Sequence, residues 1–214
     1  VLARGLGRPM AGLALWVALA ASGAMAQTPG AASGGTAAPP SLNQWLDRLQ
    51  EASRRRAYIG TFVVSAGSAM SASKIWHVCD GTQQMERIDS LTGTARTTLR
   101  KNDEVLTLVP ESRVAWAEKR EALRPFPDQI KTPGNAIEEH YTWRLLGVER
   151  VAGFEADVLH IQPRDALRFG YRVWSEKQTG LTVKMQTLDG QGQVIEQMVF
   201  SELQLDAPVK METL

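Results

Sequence analysis

Between Glu149 and Leu205, short runs of alternating apolar and polar residues are separated by glycine-containing breaks. Leu181, Val183 and Met185 share one parity, with Thr182, Lys184 and Gln186 on the other. Ile195, Val199, Leu203 and Leu205 share a parity as well, while Met198 and Phe200 make the opposite face apolar too. The breaks, Gln178-Thr179-Gly180 and Asp189-Gly190-Gln191-Gly192, supply glycines for the positive φ of tight turns. Period-2 runs joined in this way predict antiparallel strands. Apolar residues on both faces predict a curved sheet whose second side is also covered, by a helix or by a ligand.

The covering element is legible upstream. Ser41 follows two prolines and precedes Gln44 by three residues, the pattern of a capping box. Leu42, Trp45, Leu46, Leu49 and Ala52 then fall on one helical stripe, and Arg54, Arg55 and Arg56 suit its C-terminal end. This stripe is expected to lie across the open face of the sheet. From Tyr58 the chain reads as strands: AYIGTFVVS, in which Gly60 marks a bulge or a close approach, then SKIWHVCD after a small-residue turn region at 66–73. In SKIWHVCD, Trp76 and Val78 share one face and Ile75, His77 and Cys79 the other. Strands follow at 85–91, 94–100, 104–109 and 113–119. Prolines interrupt 120–137, a loop in which Phe126 is expected to tuck against the sheet rim. A helical turn at 136–140, strands from Tyr141 and at 157–162, and a further turn at 165–168 complete the path. The expected fold is mainly β: about ten or eleven antiparallel strands in a curved, half-open barrel, with an N-terminal amphipathic helix packed on it.

Residues 1–26 read as an address. Arg4 and Arg8 precede an apolar run, Met10 to Ala21, that is too short to span a bilayer, and Ala24-Met25-Ala26 suits cleavage. A secretory signal peptide and a periplasmic location are therefore expected. Residues 27–40 form a Gly/Ala/Pro/Ser linker expected to be disordered, 41–206 the folded domain, and 207–214 a tail or the start of an interdomain linker. Removing Arg4 and Arg8 leaves 22 basic against 23 acidic residues, a net charge of −1. That balance gives no electrostatic case for nucleic acid. Cys79 is the single cysteine, so no intrachain disulfide is available, and it reads as a small buried hydrophobe.

Catalytic patterns are missing from the sequence. It has no G-x-S-x-G elbow, and His77, His140 and His160 lack metal-ligand spacing. The reading is a non-enzyme without metal or cofactor. Arg164, Asp165 and Arg168 suit a loop-stabilising ion pair better than a phosphate site, and RFGYRVW leaves open whether its role is structural or binding.

Several segments together resemble the MucB/RseB family of periplasmic regulators of the envelope-stress sigma factor. They are AYIGTFVV, Ile75-Trp76-His77, ERIDSLTG, DEVLTLVPESR, RVAGFEADVLHIQPRD, RFGYRVW, TGL and VIEQMVF, in order, over roughly residues 42–206. The resemblance implies a half-open barrel of the LolA/LolB kind. It implies a partner, the periplasmic domain of a membrane anti-sigma factor (RseA/MucA type), which is shielded from regulated proteolysis. It also implies an amphiphile, lipopolysaccharide or lipoprotein acyl chains, that the half-barrel senses. Family members continue into a second, smaller domain that carries much of the partner contact, and this chain ends at Leu214, just after the first. A periplasmic lipoprotein or lipid carrier of LolA/LolB type is the alternative. Candidates for an amphiphile cavity are Phe62, Trp76, Trp116, Phe126, Trp174, Met185 and Phe200; core packing is open for each, because parity fixes a face only relative to its own strand.

Overall fold

Ser41 opens the first helix in the manner its spacing to Gln44 dictates. In the computed structural model, which describes residues 40–119 and 137–214, the Gln44 amide donates to Ser41 Oγ (3.3 Å). The Ser41 amide donates back to Gln44 Oε1 (2.7 Å), so two orphan donors of the first turn are satisfied. The helix, α1 (Leu42–Arg55), buries Leu42, Trp45, Leu46, Leu49 and Ala52. Each large apolar side chain so buried contributes about 2 kcal/mol relative to exposure. The chain leaves α1 at Arg56, which is extended and bridges to Asp206 at 3.2 Å.

Eleven strands follow: β1 (Tyr58–Ala66), β2 (Ala69–Cys79), β3 (Gln84–Ser90), β4 (Thr97–Lys101), β5 (Glu104–Val109) and β6 (Val114–Lys119), then, after a helical turn α2 (Ile137–His140), β7 (Tyr141–Val151), β8 (Phe154–Pro163), β9 (Gly170–Glu176), β10 (Thr182–Leu188) and β11 (Val194–Leu205). They form one antiparallel sheet in the order β6-β5-β4-β3-β2-β1-β11-β10-β9-β8-β7. Two meanders are thus joined at the middle by the pairing of the first and last strands. The sheet is open, with β6 and β7 as its edges, and it curves around α1. Leu42 to Leu49 of the helix pack with Leu159, Ile161, Tyr171 and Val173. Ala52, one turn on, packs with Tyr58, Ile75, Leu181 and Phe200.

Several local expectations are corrected. Residues 66–73 are not a turn region: β2 begins at Ala69, and only Gly67 and Ser68 separate it from β1. No helix forms at 165–168, where the Asp165 carboxylate instead accepts from the Leu167 amide (2.9 Å) and pairs with Arg168. Val183 does not share a face with Leu181 and Met185. The β9–β10 register shifts between Thr182 and Lys184, and Val183 joins Val158 and Trp174 in a cluster on the other side. Likewise the register shifts at Thr61/Phe62, where Phe62 pairs with Phe200 while Thr61 pairs with Glu202. Ser201 is the extra residue, so Leu203 and Leu205 come opposite Gly60 and Tyr58. Leu205 packs with the Phe200 cluster, and Leu203 touches both that cluster and the one that holds Val199. Cys79 is only half-buried, at the end of β2, with Sγ accepting from the Gly81 amide at 3.3 Å.

Residues 1–26, expected as a signal peptide, the expected linker to residue 39, and Phe126 lie outside the described residues. Residues 207–214 bury Ala207 and end in a 3-10 turn at Met211–Thr213. Among the described residues no helix is long and apolar enough to cross a membrane.

Candidate functional site

Gly60 lies where the helix-covered face of the sheet opens into a hollow. A Cβ at Gly60 would sit 2.6 Å from the Phe200 ring and 2.9 Å from the Glu202 carbonyl oxygen. The absence of a side chain lets Phe200 lie across β1. Phe200 in turn meets Phe62 edge-on at 6.0 Å and Tyr58 at 6.2 Å. Ile75, in register with Gly60, and Met198 and Met185, in register with one another, extend this apolar floor.

Above the floor stands the C-terminal half of α1, and between them lies a cavity of about 420 Å³. Its helix wall presents Gln50, Ser53 and Arg54, and its mouth carries Gln84, Glu86, Arg100 and Glu196. An apolar floor under a wall and rim of polar and charged groups suits an amphiphile, with a tail on the floor and a polar head at the rim. One cross-strand row, Tyr58–His77–Glu86–Arg100, runs from floor to rim. Burial pushes the Tyr58 phenol far above its ordinary value, Glu86 adding to the effect and Arg100 opposing it, so the floor stays uncharged there. A larger hollow, about 530 Å³, lies over Met85, Leu99, Leu106 and Ala117 on the other face. Among the described residues, β3 to β6 and their connections wall it.

Of the residues singled out from the sequence, Phe62, Met185 and Phe200 line the cavity under α1 together. Trp76 lies on the opposite face, between Lys74 (5.0 Å) and Arg87 (5.5 Å). Trp174 is also opposite: it is 2 % exposed, packs on Val158 and Val183, and donates from Nε1 to Glu149 (2.8 Å). Trp116 is in register with Thr107 and, through Thr98 and Ile88, with Ile75, so it shares the cavity's face. It stands four strands away, about 19 Å at ordinary spacing, and does not line the cavity. The sequence reading passed over Tyr58, Ile75, His77, Leu181 and Met198. For Tyr58 the signal was parity with Gly60 on its own strand; the others are brought beside it by pairing and packing across the sheet.

The family model for the MucB/RseB N-terminal domain matches residues 41–214. The chain belongs to the MucB/RseB family. It is 31 % identical over 167 residues to the sigma factor AlgU regulatory protein MucB of Pseudomonas aeruginosa, covering 77 % of this chain and 51 % of that protein. It is 23 % identical over 166 residues to the sigma-E factor regulatory protein RseB of Haemophilus influenzae, covering 78 % and 53 %. The chain thus spans about half the length of the curated relatives it matches. Among solved structures, MucB in complex with periplasmic MucA superposes with a TM-score of 0.64 at 28 % identity, over 81 % of this chain and 58 % of that one. A conserved protein from Thermus thermophilus shares the fold at TM-score 0.57 and 14 % identity, over 82 % and 93 %. The open eleven-stranded sheet is that of the MucB/RseB N-terminal domain, which agrees with the antiparallel architecture expected from the alternation.

Proposed function

We propose that this domain acts in the periplasm as a negative regulator of an envelope-stress sigma factor. It binds the periplasmic part of a membrane anti-sigma factor, shields it from regulated proteolysis, and releases it when an acyl chain of lipopolysaccharide or lipoprotein enters the cavity under α1. The observation that carries the reading is that cavity, with Phe62, Met198 and Phe200 as its floor and charged groups at its mouth. The Pseudomonas aeruginosa relative, solved with periplasmic MucA, supports the choice of partner, and the basic and apolar pattern of residues 1–26 supports the compartment.

An amphiphile shifts the partner equilibrium only through different affinities for the free and partner-bound forms. Helix α1 is the element through which that difference arises, since Gln50, Ser53 and Arg54 form the cavity wall. The test is a pull-down of the chain with the anti-sigma factor's periplasmic segment, with and without lipopolysaccharide or acylated peptide. Retention that weakens with the amphiphile is the expected result. Saturable amphiphile uptake without partner retention leaves only the sensory half of the regulator in this domain or favours the carrier, and failure to bind either overturns the reading.

A further inference from the structure

Three basic side chains cross the face of the sheet that α1 leaves uncovered. Arg144 of β7, His160 of β8 and Arg172 of β9 are in-register neighbours. Their face is fixed by Leu159 and Val173, adjacent in sequence, which pack with α1 on the other side. The two arginines flank the imidazole from the neighbouring strands, and no carboxylate among the described residues pairs with any of the three. The nearby acids are engaged elsewhere. Glu149 accepts from Trp174 Nε1, and Glu176 accepts from the Thr179 hydroxyl (2.6 Å) and amide (2.7 Å).

Arg172 is held in place and left unfilled. Its Nη1 donates to Gln186 Oε1 (3.2 Å), and Gln186 Nε2 donates in turn to Gln197 Oε1 (2.7 Å). Its Nε, covered by protein, has no acceptor. A half-buried guanidinium oriented by an amide relay, with a second arginine across one intervening strand, is arranged for an oxyanion.

We propose that the Arg144–His160–Arg172 row is a binding site for a phosphate group. A tetrahedral phosphate has enough oxygens to accept from both arginines and from the imidazole between them, which the two oxygens of a carboxylate do not. Lys184, over the Trp174 ring at 4.1 Å in the next row of the same face, adds positive charge. The site lies across the sheet from the cavity under α1, so it stands or falls independently of that reading. Burial first, then the Arg144 and Arg172 charges, hold the His160 imidazole below its ordinary value. A bound anion offsets the two arginines, which makes His160 a reporter of occupancy.

The experiment follows the His160 imidazole resonance of the whole chain by NMR during titration with inorganic phosphate, with His160→Gln as the assignment control. The expected result is a saturable shift accompanied by a rise in the His160 pKa. Arg144 is exposed, so Arg144→Gln keeps the fold (checked by circular dichroism), and losing its charge-assisted bonds weakens phosphate binding about tenfold. Flotation with phosphatidylglycerol vesicles, against phosphatidylcholine, separates the sources. Retention lost in Arg144→Gln makes the ligand a lipid headgroup, and phosphate binding without retention makes it a soluble phosphate. Absence of a saturable His160 shift, or an undiminished one in Arg144→Gln, overturns the proposal.

Discussion

Tyr58 and His77 stack across β1 and β2, their ring centroids 4.9 Å apart and their planes 16° from parallel. His77 Nδ1 lies 2.8 Å from the Arg56 carbonyl oxygen. A carbonyl only accepts, so the proton of the neutral ring is on Nδ1. One imidazole thereby ties the exit of α1 to the cavity floor. His77→Ala removes the stack and leaves the Arg56 carbonyl unpartnered, and it is expected to cost about 2–4 kcal/mol. Urea denaturation measures this.

Gly60→Ala places a methyl group against Phe200 and the Glu202 carbonyl oxygen. The backbone contact cannot be relieved by a rotamer change, so about 1–3 kcal/mol of destabilisation is expected. The ring displaced is the cavity floor itself. Amphiphile uptake therefore falls along with the denaturation midpoint, a pairing that titration of the folded variant with a fluorescent fatty acid detects.

Ser41→Ala removes the acceptor for the Gln44 amide and is expected to cost about 1 kcal/mol. The Leu42 amide keeps Glu138 Oε1 at 3.2 Å, so the helix frays without detaching from α2. A lowered thermal midpoint with nearly unchanged far-ultraviolet circular dichroism at 25 °C is the signature.

The residues just mutated show what a sequence makes legible. Ser41 and Gln44 are three positions apart, and their bond is local, so spacing alone predicts it. The alternation from Tyr58 onward likewise predicts strands and most of their turns. It does not say which face of a strand the helix covers. Trp76 and Ile75 are equally good strand residues, and only the pairing of Ile75 with Gly60 puts it in the cavity while Trp76 meets Lys74 and Arg87. Bulges broke the parity elsewhere. One extra residue at Ser201 brought Leu205 to the side of Phe200 and Leu203 between the two clusters, and a shift at Thr182/Lys184 separated Val183 from Leu181. Such shifts are set by cross-strand partners, which periodicity within one strand does not record.

Glu176 gives a pH dependence. Burial pushes its carboxyl up, but the Thr179 hydroxyl and amide, the Gln178 amide and the Arg48 charge outweigh it and hold the group below its ordinary value. A carboxyl depressed in the folded state stabilises above its unfolded pKa, and that contribution is lost as pH falls through the folded one. Glu176→Gln is therefore less stable than the parent at pH 7. The gap closes on acidification below the carboxylate range, as denaturant midpoints taken across the pH series show.

Coupling between the cavity under α1 and the hold on the anti-sigma factor is best tested by calorimetry. The quantity is the Kd for the partner's periplasmic segment, measured for the chain alone, with saturating acylated peptide, and for a Val64→Trp variant whose indole occupies the cavity. The expected outcome is a Kd raised by the acylated peptide in the parent chain, and insensitive to it in the variant. A parent chain that takes up the acylated peptide to saturation while its partner Kd stays unchanged shows that the cavity does not govern partner release.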